Sequence, residues 1–292
     1  MAKKKQFPII PSNRIDDIHY LNHLEEADLI LYVAGNQFMV MEELLTFFQE
    51  LNPEVKYIFY ETLPPGLELK QILAGGAIFR GKMLPGIPDV YTAVNEEAMH
   101  RLEERGLINK GNYFVYLHNR IVLMVKEGNP LNVNSVLDLA RDEVRISQPN
   151  PEVEDIGIHI VNMYRDAGGE ELVYRIMEEK RAEGTTIFTV VHHRETPLRL
   201  QKNTVDVGPV WATEVIEAKK KGIRVEMVEP GEKLDQRDRV NYFITSFKKA
   251  PHPENAQKFL EFIKSNRAQE IYKKYGFIPH FFRKLPNRPI VI

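Results

Sequence analysis

The sequence predicts an α/β protein of two lobes, each a mainly parallel sheet flanked by helices, with two strands crossing between the lobes. Three observations predict it. Short β-rich runs alternate with segments of helical spacing along most of the chain, the pattern of strand–helix–strand units with right-handed crossovers. The chain has 292 residues, more than the roughly 100 to 200 that one core usually organises. It also closes on two apolar stripes at helical spacing, Ala256, Phe259, Leu260 and Ile263, then Ala268, Ile271, Tyr272 and Tyr275.

Residues 1–27 read as a polar leader carrying Pro8 and Pro11, with a short helix expected near 16–26. The first lobe then opens. Residues 29–33 are β-rich, AGNQ makes a glycine turn, and 39–51 has helical spacing; 57–60 is the next strand, and Pro64, Pro65 and Gly66 precede a helix at 67–73. A third strand at 88–92 leads to a helix at 96–105. The segment 77–86 reads as either a flap at the lobe edge or a surface insertion. RIVLMVK at 120–126 starts a second series, with strands at 144–147, 186–191, 205–211 and 224–228. Its helices are expected at 133–141, 154–167, 170–181, 194–201 and 212–221, Gly168 and Gly169 separating the second from the third. A strand at 240–247 returns the chain to the first lobe. There Pro253 suits a first helical turn, Asn266 with Gln269 makes a capping-box-like spacing, and Gly276 offers a left-handed stop. The lobes divide as 28–117 with 241–292, and 118–240 inserted between them.

Lys and Arg number 39 against 41 Asp and Glu, so no basic face for nucleic acid is expected. Without cysteine there is no disulfide, thiolate metal site or thiol nucleophile. No run approaches the roughly 20 apolar residues of a membrane span. Lys3 to Lys5 resemble the basic start of a signal peptide, but the following residues turn polar before an apolar core forms. The expectation is a chain that either works in the cytoplasm or had an export signal removed.

In open α/β sheets, ligands bind beyond the carboxyl ends of strands, where helix N-termini present free amide donors and a positive dipole end. The positions that qualify are Gly35, Asn36 and Gln37 after the first strand, Pro65 and Gly66 after the second, and Asp155, Ile156 and Gly157 after the strand at 144–147. His193 with Arg194, and Trp211 to Thr213, occupy equivalent places in the second series. Such termini attract anions. A carboxylate at Glu61 facing inward would argue for a different ligand.

Several pieces, in order, resemble one family. AGNQF is similar to A-(A/G)-S-L, LELKQILAGG to LARQIEAGA, PDVYTAV to ADVFISA and NRIVLMV to NRLVLV; DVGPVWATE and FLEFIKSNRAQEIYKKYGF are similar to DAGIVYATD and FLDFLLSPEAQAIFAKYGF. The chain thus resembles the type II periplasmic solute-binding proteins of ABC transporters, in particular the molybdate- and tungstate-binding proteins, from about residue 28 to 279. The resemblance implies the two-lobed type II fold and a monomer outside the cytoplasm. It also implies a clamp that traps a small oxyanion through hydroxyl and backbone donors, with no cofactor and no catalysis, for an ABC permease. Carried across by position, the first-loop serine is Asn36, the second-loop serine falls near Pro65 and Gly66, and the inserted-lobe pair is Ile156 with Gly157. The helix-starting valine is His193, beside Arg194, and the tyrosine is Trp211. Both serine hydroxyls and the tyrosine hydroxyl are replaced, which puts molybdate itself in question, although the Asn36 amide and Trp211 indole remain donors. The alternative is a cytoplasmic sensor or carrier of the same fold with a different small anionic or organic ligand.

His19 and His23, four apart, would share one face of a helix as in some zinc sites, or simply lie on a solvated leader helix. No nucleophile elbow, phosphate loop or dinucleotide fingerprint is present; GAIFRGKM has Met83 where a phosphate loop needs a hydroxyl. A bilobal enzyme with a thioether-linked cofactor is disfavoured by the missing cysteine.

Overall fold

The structure is a computed structural model that describes residues 6–152, 154–190 and 195–281. Two main sheets organise it. The larger has seven strands in the order Ile278–Pro279, Tyr113–His118, Asn241–Ser246, Val90–Ala93, Leu29–Tyr32, Ile58–Glu61 and Ile18–His19. The smaller has five, in the order Thr186–Phe188, Ile146–Gln148, Val207–Trp211, Ile121–Lys126 and Val225–Val228. The chain passes from the large sheet to the small one between His118 and Ile121, and re-enters the large one at Asn241.

Both sheets are mixed. In the larger, Leu29–Tyr32 pairs in parallel with Ile58–Glu61 and Val90–Ala93; in the smaller, Ile146–Gln148 pairs in parallel with Thr186–Phe188 and Val207–Trp211. The strands by which the chain enters each sheet after a passage, Ile121–Lys126 and Asn241–Ser246, run antiparallel to these. The three parallel strands of the large sheet are buried along their whole length, as strands covered on both faces must be. Helices Phe38–Leu51, Pro65–Ala74 and Glu96–Glu104 provide crossovers in the first half. Asp155–Tyr174, Glu195–Gln201 and Ala212–Lys220 belong to the second, Asp155–Tyr174 losing helical geometry at Gly168 and Gly169 where the sequence breaks.

The two terminal helices, Pro253–Lys264 and Asn266–Lys274, dock on the first half. Phe48 and Phe259 meet edge to face at 5.3 Å, and Tyr116 stacks edge-on against Tyr272 at 5.9 Å. The cap of the last helix is Ser265, whose hydroxyl accepts from the Ala268 amide at 3.2 Å, rather than Asn266. Gln269 is occupied elsewhere, donating to the Tyr116 and Ile263 carbonyls. Gly276, at φ 92°, supplies the expected left-handed stop.

Residues 6–27 are built into the first half. Ile9–Ile10 pairs with Ile78 and Phe79, completing a small sheet with the hairpin Gly76–Phe79 and Lys82–Pro85, so the segment expected as a flap or insertion is paired structure. Ile18–His19 pairs with Tyr60 and Glu61 at the edge of the large sheet. The helix expected near 16–26 is replaced by the 3-10 turns Ile15–Asp17 and Leu21–Glu26 on either side of that strand. The helix expected at 133–141 is the short 3-10 turn Val136–Ala140, with Ser135 at its start.

Candidate functional site

Parallel strands deliver their following loops to one edge of a sheet, and here the loops of both sheets meet at one cleft. From the first sheet come Gly35 and Asn36 after Leu29–Tyr32, Thr62, Pro64 and Pro65 after Ile58–Glu61, and Val94 after Val90–Ala93. From the second come Glu154, Asp155 and Ile156 after Ile146–Gln148, and Trp211 at the end of Val207–Trp211. Arg14, from the N-terminal segment, completes the lining.

Most of these residues stand where a helix begins. Gly35 and Asn36 form a 3-10 turn running into Phe38–Leu51, Pro65 starts Pro65–Ala74, and Glu154 and Trp211 immediately precede Asp155–Tyr174 and Ala212–Lys220. Each first turn leaves amide donors without intrahelical acceptors, so the cleft is rich in the positive ends of helices.

Gly35 is needed for close approach. A Cβ there would lie 2.7 Å from the Thr62 carbonyl oxygen and 3.1 Å from that of Leu63, so the two loops touch only because the side chain is absent. Asn36 is buried, and its side-chain amide donates to the Tyr242 hydroxyl, which also accepts from Asn119 at 3.3 Å. Asn36 keeps a second N–H. Trp211 is 2 % exposed, and its ring lies 6.1 Å from that of His159, whose imidazole burial and then Arg239 push down to about 4.

Of the residues expected at a site, Gly35, Asn36, Pro65, Ile156 and Trp211 come together in this lining. Three do not join it. Gln37 turns into the core, where it accepts from the Tyr116 hydroxyl at 2.8 Å and donates to Thr92 at 3.3 Å. Gly66 lies in the first turn of its helix with open space where a Cβ would sit. Gly157 serves packing, since a Cβ would meet the Pro151 backbone at 2.5 Å. His193 and Arg194 lie outside the described residues.

Glu61 faces away from the cleft. Its carboxylate is fully buried, accepts from Gln71 at 3.0 Å, and is pushed up to about 8 by burial. Glu68 nearby is likewise raised, by burial first and Glu61 second. The acidic groups that do reach the cleft are Glu154, which accepts from the Thr189 hydroxyl, and Asp155, which burial and then Glu154 push up to about 6. Arg14 opposes them while paired with Asp17 at 3.2 Å. Arg14, Thr62, Val94 and Glu154 escaped the sequence reading. Thr62 and Val94 directly follow strands and could have been found by the rule that named Gly35, whereas nothing in the polar N-terminal segment marks Arg14.

His19 and His23 do not share a helix face. His19 sits on its strand, stacked on Tyr60 at 4.1 Å, and His23 stacks on Tyr57 at 4.7 Å. Among the described residues no group of three His, Asp or Glu is placed to hold a metal ion, and no helix is long and apolar enough to cross a membrane.

The architecture matches known bilobal proteins. The periplasmic molybdate-binding protein of Azotobacter vinelandii superposes with a TM-score of 0.68 at 20% identity, over 86% of this chain and 99% of that one. The sulfate-binding protein SubI of Mycobacterium tuberculosis gives 0.67 at 17%, over 86% and 85%. In sequence, a Bacillus subtilis protein named as an ABC transporter substrate-binding lipoprotein is 26% identical over 194 residues, 65% of this chain and 66% of its own length, just under two thirds. The likeness to the two solved structures establishes a two-lobed periplasmic-binding-protein fold. Residues 29–278 match the bacterial extracellular solute-binding proteins, and the chain belongs to that family.

Proposed function

We propose that this protein is the solute-binding component of an ABC transporter, closing two lobes on a small oxyanion of the molybdate, tungstate or sulfate kind and handing it to a membrane permease. One observation carries the oxyanion reading: helix beginnings from both sheets converge on a single cleft lined by Gly35, Asn36, Pro65, Ile156 and Trp211. Amide donors at such ends hold an anion by charge-assisted hydrogen bonds, each contributing about 1.5 to 3 kcal/mol without a formal cation. Closure follows from the ligand bonding to both halves at once, so its affinity for the closed state exceeds that for either half.

The lobes in this proposal are 28–117 with 241–292, and 118–240. The protein acts as a monomer outside the cytoplasmic membrane and catalyses nothing. His193 and Arg194 are proposed as further ligand contacts from the second lobe. A second reading, a sensor or carrier for a different small anionic or organic ligand, draws support from Glu154 and Asp155 in the cleft, which suit a ligand with hydrogen-bond donors of its own. Calorimetric titration with molybdate, tungstate, sulfate and phosphate tests the first reading. Saturable heat from at least one supports it, and silence from all four rules it out.

A further inference from the structure

Asp155 is an unusual group to find at an anion site. It occupies the first position of Asp155–Tyr174 and lines the cleft, yet its Oδ2 has no solvent-exposed surface and no hydrogen-bond partner among the described residues. A buried carboxylate oxygen left without a donor is costly, so such a group points to a partner that arrives with the ligand. The charged and titratable groups around it explain why that partner carries a proton. Glu154 adds a like charge beside it, Tyr91 approaches from Val90–Ala93 with its hydroxyl already donating to the Pro65 carbonyl at 3.0 Å, and Arg14 lines the same cleft while engaged with Asp17. His159, one turn along the same helix, is held neutral by burial and Arg239. An anion that brought no proton would face an ionised carboxylate across a desolvated gap.

We propose that Asp155 makes the oxyanion site proton-linked: the occupied cleft holds one proton between Asp155 and the tetrahedral oxyanion, so a fully deprotonated dianion such as sulfate or molybdate binds together with a proton. This rests on the oxyanion reading above. The balance is the same by two routes. A hydrogen-oxyanion donates its O–H to ionised Asp155, or a fully deprotonated dianion arrives, Asp155 takes a proton from water and donates it to the dianion. The upward displacement of Asp155 to about 6, caused by burial and Glu154, brings the second route within reach of neutral pH.

Calorimetry on the intact wild-type chain at about pH 8, in two buffers of different ionisation enthalpy, separates the routes. Phosphate, there mainly hydrogen phosphate, is expected to bind without net proton uptake. Sulfate and molybdate are expected to take up about one proton each, with affinity falling about tenfold per pH unit between roughly pH 7 and 8. Asp155→Asn is expected to abolish that uptake and shift the preference toward sulfate at least tenfold. Binding of sulfate or molybdate at about pH 8 with no proton uptake, as strong as that of phosphate, would overturn the assignment of Asp155 while leaving the oxyanion site standing. No binding of any anion would remove the site and this proposal together. The proton count is read on the wild type, so it decides the matter even if the variant does not fold.

Discussion

Replacing Glu61 by Gln is expected to stabilise the protein, and to do so more as the pH rises. Glu61 belongs to Ile58–Glu61, is 0 % exposed, and has one carboxylate oxygen, Oε2, without a hydrogen-bond partner. Burial raises it from an ordinary 4.5 to about 8, a change of roughly 3.5 units. At about 1.36 kcal/mol per unit this caps the linkage at roughly 5 kcal/mol. The sign follows from which state keeps the proton. Between 4.5 and about 8 the folded chain holds it and the unfolded chain releases it, so stability from this group is full at low pH and is lost as pH climbs through that window. Gln at the same place has no proton to lose, and its carbonyl can still accept from Gln71. The variant should therefore match the wild type near pH 5 and exceed it by up to roughly 3 kcal/mol at pH 7, with the gap widening toward pH 8. Glu68 contributes a slope of its own, steeper in the wild type because Glu61 is, after burial, the second cause of its rise, and this adds to the widening gap. Urea unfolding from pH 5 to 8, in buffers free of the four test anions, reads this directly. A stability difference that stays constant across that range would refute the claim that Glu61 is buried with its proton on.

Gly35→Ala forces a Cβ to within 2.7 Å of the Thr62 carbonyl, so thermal melting should show a loss of about 1 to 3 kcal/mol, and anion affinity should fall because both loops line the cleft. Asn36→Ala removes a donor to Tyr242, whose hydroxyl keeps Asn119. It should cost about 1 kcal/mol in the unliganded protein and lower anion affinity roughly tenfold, measured by melting and calorimetry on the same preparation.

The parts of the fold legible in the sequence are those with a strong period. Leu29–Tyr32 and Val90–Ala93 are compact apolar or β-rich runs, and Ala256, Phe259, Leu260 and Ile263 recur at helical spacing, so burial and periodicity point to one answer. Ile9–Ile10 and Ile18–His19 are two residues each, too short to show alternation, and their pairing is set by partners 41 to 69 positions away. That is why residues 6–27 read as a leader. The cleft was legible where strand ends are followed by turn residues, as at Gly35 and Pro65. It was not legible at Arg14, which reaches the cleft through tertiary placement alone. The orientation of Glu61, which the sequence left open, is set by strand alternation: adjacent to Thr62 in the chain, it lies on the opposite side and is buried against Gln71.

Trp211, the sole tryptophan of the chain, lines the cleft and is almost wholly buried, so its emission reports on this place and no other. Titrating the purified protein with each of the four oxyanions while recording tryptophan fluorescence should give a saturable change at one anion per chain, and Asn36→Ala should move its midpoint to higher concentration. Oxyanion binding seen by calorimetry with Trp211 emission unmoved, or emission unmoved by all four, would contradict the placement of the ligand between the two halves.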